Sequence, residues 1–175
     1  MDGAAVSELS IEPLRASDPE PISAAFAGIG WSKPAEQYLR YLAEQERGVR
    51  NVLVGRLGEH FVGYLTIRWS PDYPPFAREQ IPEIQDLNVL PPHRRRGIAT
   101  TLLDHAEELV SARSPVVGIG VGMDPDYGPA QRLYVRRGYV PDGRGLWYRD
   151  RPVRYGDDAR IDDDLVLHLV KRLRP

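Results

Sequence analysis

Apolar residues in this 175-residue chain follow two rhythms that alternate along its length. A repeat of two places side chains on one face of a strand; a repeat of about 3.6 places them on one face of a helix. The segment "LSIEPLRASD" (9–18) reads as a short strand and then a turn, where Ser17 or Asp18 can cap a helix. A short helix follows in "PEPISAAFAG", ended by Gly28. Trp31, Ser32 and Pro34 open another, "PAEQYLRYLAEQERG", with Ser32 as its cap, Pro34 in its first turn and Gly48 as its stop. Tyr38, Leu39 and Leu42 are expected to share its apolar face. Residues 49–70 predict a hairpin. Val52 and Val54 mark its first arm, Phe61, Leu65 and Ile67 its second, and "LGEH" the turn.

The proline-rich stretch 71–82 predicts a loop and residues 83–90 a strand. "GIATTLLDHAEELVSAR" predicts a helix with Ala99, Leu102, Leu103, Ala106, Leu109 and Val110 as one apolar stripe. Residues 115–124 form a β-branched strand loosened by glycines, and "GPAQRLYVRRG" a short helix closed by Gly138. "YVPDGRGLWYRDRPV" reads as strand, turn and strand, and "DDDLVLHLVKRL" as a last strand. Strands alternating with helices in the middle, with hairpins at both ends, predict an α/β protein: a mixed sheet with helices on both faces.

Composition narrows the options. The length suits one domain, 1–175. Hydrophobic residues make up 42% and charged residues 27%, and the net charge is −2, which argues against a basic nucleic-acid-binding face. With no cysteine there are no disulfides, no thiolate chemistry and no cysteine zinc site, which fits a cytoplasmic protein. The first residues lack a signal-peptide pattern, and no run reaches the roughly 20 apolar residues of a membrane helix. His60, His93, His105 and His168 are not at ligand spacing, so no metal site is assigned.

Against that acidic total, one stretch stands out. "PPHRRRGIATTLL" sets Arg94, Arg95, Arg96 and Gly97 at the mouth of a helix that follows a strand. A helix N-terminus carries free N–H groups and partial positive charge. A glycine there lets an anion reach the backbone. The combination suits a phosphate cradle; the plainer alternative is a solvated turn. The lysine-bearing phosphate loop and the three-glycine dinucleotide fingerprint are both absent.

"DLNVLPPHRRRGIATTLL" resembles the acyl-CoA-binding motif of the GNAT superfamily of N-acetyltransferases. That motif is Arg/Gln, two residues, Gly, one residue, Gly/Ala, filled here by Arg94, Gly97 and Ala99. "AQRLYVRRGYVPDG" resembles the family's second signature, and the two cover roughly 83–142. The resemblance implies the GNAT fold, a mostly antiparallel sheet splayed between its fourth and fifth strands, with acetyl-CoA as co-substrate. It implies that the pantetheine arm lies along Leu87, Asn88 and Val89. The diphosphate would sit on the amides of Arg95, Arg96, Gly97, Ile98, Ala99 and Thr100, and the amide of Val89 would face the oxyanion. Tyr134 aligns with the family's acid. Many members carry an asparagine where this chain has Tyr127, which could contact the cofactor or cover it.

Transfer to an amine needs the neutral amine, hence a base or a desolvating pocket. Glu83 and Asp86 are the two candidates, on opposite faces by strand alternation. The acceptor is expected to be a small-molecule or peptide amine. Residues 17–47, 72–80 and 146–164 would border its site; the last mixes Trp147, Tyr148 and Tyr155 with arginines and aspartates. No nucleic acid or membrane partner is expected, and a homodimer is compatible with the family. The alternative to an enzyme is a non-catalytic acyl-CoA-binding or sensory module on the same fold.

Overall fold

The structure is a computed structural model that describes residues 8–173. The elements are β1 (Leu9–Pro13), α1 (Pro19–Ala27), α2 (Ala35–Glu46), β2 (Arg50–Leu57), β3 (His60–Arg68), α3 (Pro74–Glu79), β4 (Glu83–Val89), α4 (Ile98–Ser111), β5 (Val116–Gly122), α5 (Gly128–Arg136), β6 (Val140–Tyr148), β7 (Arg151–Pro152) and β8 (Leu165–Arg172). The strands form one open mixed sheet in the order β1-β2-β3-β4-β5-β8-β6-β7. β4 and β5 run parallel and pair at Glu83↔Gly118 and Ile84↔Ile119. The β1–β2, β5–β8, β6–β8 and β6–β7 pairs are antiparallel. Among the described residues no helix is long and apolar enough to cross a membrane.

The chain packs as two compact units. Of the described residues, the first comprises those up to Ile67 with Asp86–Ala106, the second Arg68–Gln85 with those from Glu107 to Leu173. In the first, α1 and α2 bury Ile22, Phe26 and Tyr38 against Val52 and Val54 of β2 and Tyr64 of β3. Each such side chain contributes about 1.5–3 kcal/mol when it leaves water. Tyr38 and Tyr64 meet edge-on, with centroids 5.4 Å apart, a preferred aromatic geometry. Leu39 departs from the expected stripe: it is exposed, because the buried face of α2 runs through Tyr38, Tyr41 and Leu42. Neither expected cap forms. Asp18 precedes α1, but its carboxylate accepts from the Arg15 amide and the Arg56 guanidinium, both at 2.7 Å. α2 starts after Pro34, without a side-chain cap from Ser32.

In the second unit, β5 carries Gly118, Gly120 and Gly122 on one face, and Val117, Ile119 and Val121 are buried. The glycines make room for other side chains. A Cβ at Gly118 would lie 2.1 Å from the Phe76 ring, and one at Gly122 would lie 2.5 Å from Tyr127. A Cβ at Gly120 would lie 2.8 Å from Val166. Phe76 belongs to α3, a helix inside the stretch the sequence marks as loop. Pro74 and Pro75 occupy the first helical positions, where a missing N–H costs nothing, and Gln80 closes the helix in a left-handed backbone. Residues 139–153 form strand, turn and strand as expected: β6 and β7 are joined by a reversal at Arg149 and Asp150, both with positive φ, and β6 carries an irregularity between Pro141 and Leu146.

Candidate active site

In the first unit, β4 leads through a short 3-10 turn, Pro91–His93, into α4. Gly97 has φ +80, a backbone that side-chain-bearing residues seldom adopt, and a Cβ there would meet no atom within 4 Å. Glycine is thus needed for the turn, and the space over it is open. Hydrogen bonding in α4 begins with the Thr101 amide on the Gly97 carbonyl at 2.9 Å. The amides of Ile98, Ala99 and Thr100 precede that bond and point out of the helix's first turn. Arg95 and Arg96 are exposed beside them. A diphosphate fits this donor set, with amides and a helix dipole at its back and two flexible cations at its flank. Arg94 is placed differently: its Nε donates to the Val89 carbonyl at 3.1 Å, and its guanidinium lies 5.5 Å from the Trp31 ring centre. It braces the end of β4. β4 also lies close to β3, since a Cβ at Gly63 would come within 2.6 Å of the Asn88 carbonyl.

Three residues before Val89, Asp86 gathers polar side chains from three elements. It has φ +54, so a left-handed residue sits inside the strand. Simple alternation, which set Glu83 and Asp86 on opposite faces, does not run through it. Its Oδ1 accepts from Lys33 Nζ at 2.9 Å and Asn88 Nδ2 at 2.8 Å. Its Oδ2 accepts from Gln37 Nε2 at 3.0 Å, from the Tyr41 hydroxyl at 3.2 Å and from the Tyr64 hydroxyl. Burial, then the Asp86 charge, pushes the Tyr41 phenol up to about 12 and raises that of Tyr64 further, so both stay protonated donors. The Lys33 ammonium also reaches the Tyr64 hydroxyl at 3.2 Å and lies 5.5 Å from the Phe26 ring centre. A carboxylate offers about four lone pairs, and five donors converge on that of Asp86. Lys33, Gln37 and Tyr41 lie within residues 17–47, expected to border the acceptor site but not singled out there, and Tyr64 lies outside the expected regions.

The second unit holds the other candidates. Tyr134 on α5 is 5% exposed, and burial raises its phenol far above the ordinary value. Its ring lies 6.0 Å from that of Tyr139. Tyr127 packs on Gly122, and its hydroxyl donates to Asp163 at 2.7 Å. Glu83 is 5% exposed; its Oε2 accepts from Gln85 at 2.8 Å, and its Oε1 lies 3.7 Å from His168 Nε2. His168 stacks on Tyr73 with centroids 3.5 Å apart, and burial lowers its pKa to about 4. Within residues 146–164 some of the polar groups pair with one another. Arg149 pairs with Asp164 at 2.9 Å, the Tyr148 hydroxyl donates to Asp162 at 3.0 Å, and Trp147 packs on Tyr73.

An open, mostly antiparallel sheet whose fourth strand leads into a glycine-opened helix N-terminus defines the acyl-CoA N-acyltransferase class. Solved structures share the fold. An N-acetyltransferase from Staphylococcus aureus superposes with TM-score 0.71 at 15% identity, covering 96% of this chain and 100% of that one. NAA60 from Arabidopsis thaliana, in complex with acetyl-CoA, gives 0.67 at 17% identity, over 95% and 99%. A spermidine N-acetyltransferase chimera of Vibrio cholerae SpeG and hSSAT gives 0.67 at 15%, over 95% and 96%. Comparison with curated protein sequences gives no match. Residues 14–139 match the acetyltransferase (GNAT) family, and the chain belongs to it.

Proposed function

We propose that the protein is an acetyl-CoA-dependent N-acetyltransferase that passes the acetyl group directly to a primary amine while both substrates are bound. The observation that carries the reading is the open, glycine-lined N-terminus of α4 behind β4. In this reading the amides of Ile98, Ala99 and Thr100, with Arg95 and Arg96, hold the diphosphate. The backbone of Leu87, Asn88 and Val89 receives the pantetheine arm. The Val89 N–H stabilises the developing oxyanion, an interaction of the kind whose loss costs about 2.7–4 kcal/mol of barrier. Family membership and a spermidine N-acetyltransferase among the fold neighbours support an amine acceptor.

The side chains divide the remaining work. Asp86 organises rather than abstracts, because its lone pairs are spent. Glu83 is then the carboxylate left for taking a proton from the amine. Tyr134 remains protonated and donates a hydrogen bond to the departing sulfur. Its raised pKa makes a hydrogen bond the better description than full proton transfer, since a thiol has a pKa of about 8.5. Tyr127, tied to Asp163, acts as a fixed wall of α5 and does not replace the family's asparagine.

The test is a panel of amines incubated with acetyl-CoA and read by release of free thiol. Small amines, polyamines, amino acids, aminoglycosides and peptide N-termini should be included. At least one should release thiol in proportion to acetylated product. Silence across the panel with tight coenzyme A binding would make the chain a binding module instead.

A further inference from the structure

We propose that Lys33 is a self-acetylation site: with acetyl-CoA bound and no outside amine present, the protein acetylates its own Lys33. The proposal rests on the acetyltransferase reading above and adds a modification site to it.

Composition gives the first argument. The chain has 21 arginines and only 2 lysines, Lys33 and Lys171. Both lysines sit on carboxylates, Lys33 on Asp86 and Lys171 on Glu107, while other buried ion pairs use arginine, as in Arg56–Asp18 and Arg50–Glu44. An arginine at position 33 would offer Asp86 a planar fork and two parallel hydrogen bonds. A guanidinium, however, does not shed a proton in proteins and is no acyl acceptor, whereas a primary amine can do both. At both lysines the choice of cation therefore matters for chemistry as well as for fit, and it is placement that separates Lys33 from Lys171.

Placement gives the second. A free lysine side chain carries roughly 2 kcal/mol of rotamer entropy, and here it is held still. Nζ donates to Asp86 Oδ1 and to the Tyr64 hydroxyl and lies over the Phe26 and Tyr64 rings. Asp86 Oδ1 also receives the side-chain amide of Asn88, the residue next to Val89. Lys33, Asp86, Val89 and residues 94–100 all belong to the first compact unit. In the proposal this amine, which shares Asp86 Oδ1 with the Asn88 side chain, is the nucleophile for the thioester carbonyl that the Val89 amide would orient. Fixed orientation of this kind replaces the entropy of a collision.

The step balances without any oxidant. The Lys33 ammonium gives one proton to solvent, which reaches the side chain at 19% exposure. Its nitrogen attacks the thioester carbonyl carbon and a C–N bond forms. The C–S bond breaks, and sulfur leaves with the electron pair and takes up a proton as free coenzyme A thiol. The product is Nε-acetyl-Lys33, which carries no charge. Asp86 then keeps its four neutral donors but loses its ion pair with Lys33. That would turn a neutral cluster into one that attracts a cation.

Lys171 is a matched control. Its ammonium also sits on a carboxylate, Glu107 at 2.6 Å, and 5.6 Å from a tyrosine ring centre, but in the second unit. The experiment incubates the full chain with acetyl-CoA at two protein concentrations and follows intact mass and peptide maps. Lys33 should gain one acetyl group at least about tenfold faster than Lys171, which corresponds to about 1.4 kcal/mol of barrier. The rate should not depend on protein concentration, and Lys33→Arg, shown folded by an unchanged melting temperature, should lose the label. Equal labelling of both lysines would mean unassisted chemistry and overturn the proposal. So would a rate that rises with protein concentration, or an unlabelled Lys33 in protein that releases thiol with an added amine. Failure to bind coenzyme A in calorimetry is a separate result, which would overturn the acetyltransferase reading and this proposal together.

Discussion

At Asp86 a left-handed backbone and five converging donors support each other. A non-glycine residue in that region costs on the order of 1–3 kcal/mol, and the hydrogen bonds offset it. Tyr64→Phe removes a hydroxyl that donates to Asp86 and accepts from Lys33 and Tyr38. It should lower stability by about 1–3 kcal/mol, read as a shift in urea midpoint with unchanged slope. His168 makes a prediction in pH. Its folded pKa is about 4, depressed by burial from the ordinary 6.5. Between those values the unfolded chain binds a proton that the folded one does not, so stability falls as pH drops from 6.5 towards 4. The slope is about 1.4 kcal/mol per pH unit at most. Melting curves of wild type and His168→Gln should converge as the pH is lowered through that window; a constant gap would remove His168 as the source. For Tyr134→Phe the account expects lower turnover with unchanged coenzyme A affinity, since the hydroxyl is placed in the transfer step and not in the grip. A fall in affinity equal to the fall in rate would contradict that division.

At the scale of elements, the alternating glycines of β5 show how a strand can be shaped by what lies over it. Gly118→Ala would drive a Cβ into the Phe76 ring of α3. Overpacking of this sort costs about 1–3 kcal/mol. Adding Phe76→Leu should recover part of it, so the two changes should be non-additive in a double-mutant cycle. Additivity would mean that the two side chains do not meet. The same strand marks the boundary of what the sequence discloses. Elements with a local cause were legible: the β2–β3 hairpin from its alternation and two-residue turn, α4 from its stripe, all but Leu109, which is exposed, and α5 from its closing glycine. α3 was hidden because two prolines read as loop, although both fit a helix's first turn. Leu39 was put on the wrong side because three apolar residues on one helix do not fix which edge of the stripe is buried.

For the whole molecule, two motifs far apart in the chain were enough to identify the family and its fold, since both are local patterns of backbone need. The acidic cluster was only half legible. Asp86 stood out as a carboxylate near the motif, but Lys33, Gln37, Tyr41 and Tyr64 reach it across 22 to 53 residues of sequence. Spacing carries no trace of such contacts. A hint lay in composition, where a lysine in an arginine-rich chain is the rare choice. Arg94, which the motif makes part of the anion grip, also donates from its Nε to the Val89 carbonyl, a contact the motif does not disclose. The account's central claim is that the N-terminal amides of α4 hold the diphosphate of coenzyme A. The most direct measurement is an amide NMR titration of the isotope-labelled full chain with coenzyme A. The amides of residues 95–100 should shift most, and Gly97→Glu should abolish the response. Saturable binding that leaves those amides unmoved while others shift would contradict the claim.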